Sequence, residues 1–257
     1  MNIINGGIYS FDKAKIIFIG LGDEKVLNEL RFYINRLESY STELNDFVFA
    51  ENFLSDQGNN SCEMIKELKR KDKVLLVAST DHYNLYRTLK YYGRVDNLIV
   101  FDSHLDLRDR FKGKKETREC TIRRIIEDKL VKHIFYYGVR SYSKEEIEFL
   151  TKNRESINII KDKDEFLDIL DKNLINGNIC VSIDVDVLEP IYCPNTSYPE
   201  INGINFYELL SMVEKTIEKL SSRIKIIDVA EIGNGSIDLI YSANLIYKIC
   251  EFFRKFS

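Results

Sequence analysis

The chain of 257 residues is 44% hydrophobic and 30% charged, with a formal net charge of −4 at pH 7. That length buries a sizeable core, and the balance carries no basic stripe of the kind a nucleic-acid binder needs. No apolar run is long enough to cross a bilayer, and the N-terminus lacks a signal-peptide pattern. The expectation is a cytoplasmic protein with no nucleic-acid or membrane partner. The five cysteines, Cys62, Cys120, Cys180, Cys193 and Cys250, form no Cys-x-x-Cys pair, which argues for free thiols in a reducing compartment.

The predicted elements alternate between strand and helix. Lys15–Leu21 reads as a buried strand, and Glu24–Ser39 as a helix with Val26, Leu27, Leu30, Ile34 and Leu37 on one face. Phe47–Asp56 predicts a short or irregular strand, and Cys62–Arg70 a short helix. Val74–Val77 is the next strand, running into Asp81 and His82, with a helix over Tyr83–Lys90. Leu98–Phe101 follows as a strand, Thr121–Leu130 as a helix and Ile134–Tyr137 as a strand ending at Gly138. Ser143 and Glu146 form a capping box for the helix that ends near Lys152. Ile157–Ile160 predicts a strand and Asp164–Leu170 a helix. Asn178–Ile183 is a strand ending in Asp184 and Asp186, followed by the loop Pro190–Pro199. Asn205 caps a helix over Phe206–Leu220. Ile224–Val229 is the last strand, before Glu231 and an apolar helix over Ile237–Phe253. His133, ahead of a strand, reads as structural.

Short apolar strands alternating with helices predict a three-layer α/β/α fold with a mainly parallel sheet, in one domain over residues 1–257. Ligands in such sheets bind beyond the carboxyl ends of the strands. His82, Asp102–Asp106, Asp184–Asp186 and Glu231 all fall at such ends. Asp102, His104 and Asp106 sit at alternate positions, so an extended chain turns them to one side.

Taken singly, an aspartate at a strand end is most often a turn former or helix cap. Two alternating sets after two buried strands are another matter. Four carboxylates in one pocket force protons back on unless cations compensate them. Two divalent ions would cancel four charges. Oxygen-rich ligation with two imidazoles and no cysteine suits manganese. Such a pair lowers the pKa of a bridging water, which points to metal-assisted hydrolysis. The candidate ligands are His82, Asp102, His104, Asp106, Asp184 and Asp186.

These residues are where the chain resembles the ureohydrolase family of arginases and agmatinases. Asp102-Ser103-His104-Leu105-Asp106 resembles Asp-Ala/Ser-His-x-Asp, and Ser182 to Pro190 resembles Ser-x-Asp-x-Asp-x-x-Asp-Pro. Asp81-His82, Gly138-Val139-Arg140 and Asp228-Val229-Ala230-Glu231 resemble further family segments, as do Pro194, Thr196, Pro199 and Gly203. The resemblance implies the arginase-like fold, two Mn2+ per subunit and a homo-oligomer, trimer or hexamer. It implies that Asp102 and Asp184 bridge the ions, with His82 and Asp106 completing one sphere and His104 and Asp186 the other. It also implies that Glu231 pairs with the guanidinium of a small guanidino substrate.

Some positions depart from the family. Thr117 to Arg124 lacks the histidine that relatives use for proton transfer, and Glu119 is the nearest substitute. Asp106, Glu231 and Glu119 are therefore the candidate catalytic residues. Ser79 and Thr80 replace two glycines, and Glu189 replaces an aspartate. No acid follows Gly138-Val139-Arg140 closely enough to hold an α-amino group, where the sequence reads Ser141-Tyr142-Ser143. Agmatine, cleaved to putrescine and urea, is the favoured substrate, with arginine, guanidinobutyrate and formiminoglutamate as alternatives. The competing expectation is a metal-binding homologue of impaired activity with a structural or regulatory role.

Overall fold

The computed structural model describes residues 15–38, 40–44, 46–47, 55–56, 65–66, 69–70 and 72–256. Its strands are β1 (Ile16–Leu21), β2 (Tyr40–Ser41), β3 (Asp46–Phe47), β4 (Ser55–Asp56), β5 (Val74–Ser79), β6 (Asn97–Phe101), β7 (His133–Tyr137), β8 (Ile157–Ile160), β9 (Ile179–Asp184) and β10 (Ile224–Ala230). Its helices are α1 (Glu24–Ile34), α2 (Tyr83–Tyr92), α3 (Thr121–Glu127), α4 (Lys144–Lys152), α5 (Lys163–Asp171), α6 (Phe206–Leu220) and α7 (Ser236–Phe256). Most of the stretches 47–56 and 62–70, and Cys62, lie outside the described residues.

Eight strands form one sheet in the order β4-β1-β5-β10-β9-β6-β7-β8, and every pairing in it is parallel. The strands are apolar on both sides because both sides are covered. Ile16, Phe18, Leu76, Ile99 and Phe101 pack into one core with α1, α5, α6 and α7. Ile17, Ile19, Leu75, Leu98 and Val100 pack into the other with α2 and α3. Successive residues of a strand thus serve opposite layers, and the three-layer α/β/α arrangement follows. The four strands that end in candidate site residues, β5, β10, β9 and β6, are neighbours in the middle of the sheet.

Two helices stop short of their predicted ends. α1 ends at Ile34 because the backbone then tightens, with Arg36 N–H donating to Tyr33 and Leu37 N–H to Ile34. α3 ends at Glu127, where Lys129 turns left-handed at φ 53° and Leu130 N–H returns to the Ile125 carbonyl. The capping box of Ser143 and Glu146 is present at α4, and Asn205 caps α6 as predicted. Among the described residues the cysteines Cys120, Cys180, Cys193 and Cys250 are free and buried. None of the described helices is long and apolar enough to cross a membrane.

Candidate metal centre

All six predicted ligands converge above the ends of β5, β6 and β9. Asp102 and Asp184 each tie one oxygen to the local backbone. His104 N–H donates to Asp102 Oδ1 at 2.6 Å, and Asp186 N–H donates to Asp184 Oδ1 at 3.0 Å. Their other oxygens turn inward. Asp102 Oδ2 lies 3.3 Å and Asp184 Oδ2 3.4 Å from Nδ1 of His82, and Asp106 Oδ2 lies 2.9 Å from the same nitrogen. Asp102 Oδ1 is 3.8 Å from Nδ1 of His104, so this one carboxylate reaches both imidazoles. His104 Nδ1 is in turn 2.8 Å from Asp186 Oδ2.

The backbone makes this crowding possible. Gly138 closes β7 at φ 99°, and a Cβ there would stand 2.5 Å from Cγ2 of Val187 and 3.1 Å from the Asp102 carbonyl oxygen. Only glycine lets the two ligand-bearing segments meet beside β7. Arg140 then pins the segment after β9, donating to the carbonyls of Asp186 and Glu200 at 2.8 Å each. Asp106 and Glu231 both adopt left-handed backbone conformations, at φ 51° and 58°.

A hydrogen-bonded relay stands behind His82. His82 Nε2 is 3.0 Å from Ser182 Oγ, whose hydroxyl donates to Asp228 Oδ2 at 3.3 Å. Burial opposes charge on His82, yet Asp102 and Asp106 raise its pKa well above the ordinary value, so without a cation Nδ1 keeps a proton facing the aspartate oxygens. A divalent cation would take that proton's place, with Nε2 left to Ser182. Asp102 Oδ2 is also buried with no hydrogen bond, an unmet group of the kind an ion satisfies. Ligand atoms of His82, Asp102 and Asp184 lie within 4.8 Å of one another, as do those of Asp102, His104 and Asp186. Two overlapping sets sharing Asp102 fit a pair of divalent cations.

The electrostatics agree. Burial, reinforced by Asp186, pushes Asp102 up to about 7. Burial lifts Asp106 to about 6 against the pull of His82, and raises Asp184 well above the carboxylate range with help from Asp186. Burial opposes charge on His104, yet Asp186 raises it to about 9. Asp186 alone goes down: its burial is outweighed by His104 and Ser103. Without cations the cluster holds protons in their place.

A cavity of about 200 Å3 opens over the cluster, and Arg118, Glu119, Tyr198, Glu200 and Glu231 are on its wall. Burial pushes Glu231 up to about 7 against the field of Arg118. Glu119 lines the cavity beside Tyr198, whose hydroxyl pKa it helps burial to raise. The neighbour Arg118, which sequence reasoning passed over, is the residue that reaches Glu231, at 2.8 Å. Ser103, which donates to Asp186 Oδ1 at 2.8 Å, and Asp228 behind Ser182 were visible only as members of motifs.

Comparison with known proteins gives the family. The arginase family model matches residues 37–239. An uncharacterized 32.2 kDa protein of Methanothermus fervidus is 30% identical over 220 residues, covering 84% of this chain and 76% of that protein. An agmatinase of Pyrococcus horikoshii is 33% identical over 158 residues, 59% of this chain and about half (53%) of that enzyme's length. The crystal structure of the agmatine ureohydrolase of Thermoplasma volcanium superposes with a TM-score of 0.79 at 19% identity, covering 98% of this chain and 94% of that one, and so shares the fold. With this sequence match and this arrangement of carboxylates and imidazoles, the chain belongs to the arginase family, whose members are metal-dependent hydrolases of guanidino compounds.

Proposed function

We propose that this chain, as a single ureohydrolase domain over residues 1–257, is a manganese-dependent hydrolase that cleaves agmatine to putrescine and urea. The observation that carries the reading is the convergence of three inward carboxylate oxygens on Nδ1 of His82, at 2.9, 3.3 and 3.4 Å, with Glu231 on the same cavity. Asp102 and Asp184 would bridge the two ions, with His82 and Asp106 on one side and His104 and Asp186 on the other. When bound, the divalent pair supplies the charge that acidifies the attacking water. Glu231 would hold the planar guanidinium through paired N–H groups and turn its carbon toward the ligand cluster. Asp106 and Glu119 would take up the proton lost by the water and return it to the leaving amine. Ser141-Tyr142-Ser143 offers no carboxylate for an α-amino group, which favours agmatine over arginine. A cytoplasmic homo-oligomer, trimer or hexamer, completes the proposal.

The test is product release from manganese-reconstituted protein with agmatine, arginine and guanidinobutyrate, scored as urea, and with formiminoglutamate, scored as formamide. Agmatine should give the highest kcat/KM. No turnover of any of the four at full metal occupancy would sink the hydrolase reading. A second reading, a metal-binding homologue of impaired activity with a regulatory role, draws on one observation: Glu231 is already engaged by Arg118.

A further inference from the structure

Arg118 opens the single turn Arg118–Cys120 ahead of α3. Its Nη1 donates to Glu231 Oε2 at 2.8 Å and also meets the hydroxyl of Ser197, while Nη2 lies 3.5 Å from Asp81 Oδ2. The chain's own guanidinium therefore rests on the carboxylate to which the proposed function assigns the substrate's guanidinium. Glu231 is 4% exposed, so it cannot simply turn to water to serve both.

Exchange between the two cations is electrically cheap. An isolated buried ion is costly because it loses water without gaining a partner. Here neither group is stranded. An incoming guanidinium neutralises Glu231, and a departing Arg118 keeps Asp81, whose side chain is 43% exposed. We propose that Arg118 is a resident, displaceable occupant of the guanidinium seat, a tethered competitor that raises the affinity any entering cation must reach. The inference rests on the reading of Glu231 as that seat. A ligand must then pay for displacement before it binds, which weakens its apparent affinity by the fraction of open seats. Guanidines with a second, remote positive charge have more to offer, since Glu119 and Glu200 stand on the same wall. A bare alkylguanidinium has only the seat itself.

Calorimetric titration of manganese-loaded protein tests this, with methylguanidinium and agmatine as probes. Arg118→Ala should bind methylguanidinium at least about fivefold more tightly than wild type, a typical coupling between competing occupants. Agmatine should gain by the same factor, since both probes displace the same side chain, and KM should follow the binding constant for any probe that is turned over. Arg118→Lys, with a point charge in place of the planar fork, should fall between. It also serves if the alanine variant fails to fold, as judged by its melting curve. Methylguanidinium bound no more tightly by either variant overturns the proposal. Glu231→Gln separates the two ideas. If it leaves methylguanidinium binding unchanged, Glu231 is not the seat and the parent reading fails. If it abolishes binding while the Arg118 variants gain nothing, only the competitor fails.

Discussion

The floor and the wall of the cavity are built on different principles. On the floor, Asp102, Asp184 and Asp186 leave the ends of central strands and are 1–2% exposed. On the wall, Tyr142 and Tyr198 come from irregular segments and are 58% and 42% exposed. The floor is rigid because its backbone belongs to the sheet, and its oxygens are aimed by neighbouring N–H groups. Apart from Glu231 at the end of β10, the wall is made of loops that change without disturbing the sheet. Under the proposed function, metal chemistry belongs to the first and the choice of substrate to the second.

The sharpest way to break that division is on the floor. Asp184→Ala removes an inward oxygen and leaves the Asp186 N–H without its acceptor. Manganese affinity should fall by more than the roughly 10–100-fold typical of losing a group behind a ligand. Chelator competition and metal content after dialysis measure it; a variant that keeps both ions would remove Asp184 from the centre. Next comes Asp228→Asn, two steps behind the metal position. The amide keeps the shape but loses the charge that orients Ser182 and His82, so affinity should drop by about 10–100-fold with the melting temperature little changed. Wild-type affinity in this variant would mean that His82 needs no relay.

The smallest effect is one of pH on the metal-free protein. Asp102, Asp228 and Glu231, lifted to about 7, and Asp106, lifted to about 6, bind protons in the folded state that the unfolded chain has already released. His104, lifted to about 9, does the same at higher pH. The folded state therefore holds more protons across this range, and stability falls as pH rises. The carboxylates act between the ordinary carboxylate range and about 7, and His104 between its ordinary value and about 9. The melting temperature of chelator-treated protein should decline by several degrees from pH 5 to pH 8, and saturating manganese should abolish or reverse the slope. A rising curve without metal would show that burial does not lift these carboxylates.

The floor was legible in the sequence for the reason that makes it rigid. Asp102, His104 and Asp106 follow a strand whose alternation is fixed, so spacing alone brings them together. Ser182 was legible as part of a motif, but its bridging position between His82 and Asp228 depends on β10 lying between β5 and β9, a neighbourhood no local pattern states. Asp228 itself lies inside an apolar strand, where its single charge reads as an interruption. The wall was legible least. In the turn Arg118–Cys120 the direction of each side chain follows local backbone angles and no period. Spacing could not tell Glu119, which meets Tyr198, from Arg118, which meets Glu231.

The left-handed backbone of Glu231 reaches beyond its charge. For L-residues other than glycine, asparagine and aspartate that conformation costs about 1 kcal/mol or more. A randomised library at position 231 would thus be sorted twice, once by the turn and once by the carboxylate. Glycine and asparagine would pass the first sieve and fail the second, and valine or isoleucine would fail both. Aspartate would pass the first more easily than the native residue and then fall one methylene short. The survivors of a folding screen and those of an activity screen should therefore barely overlap.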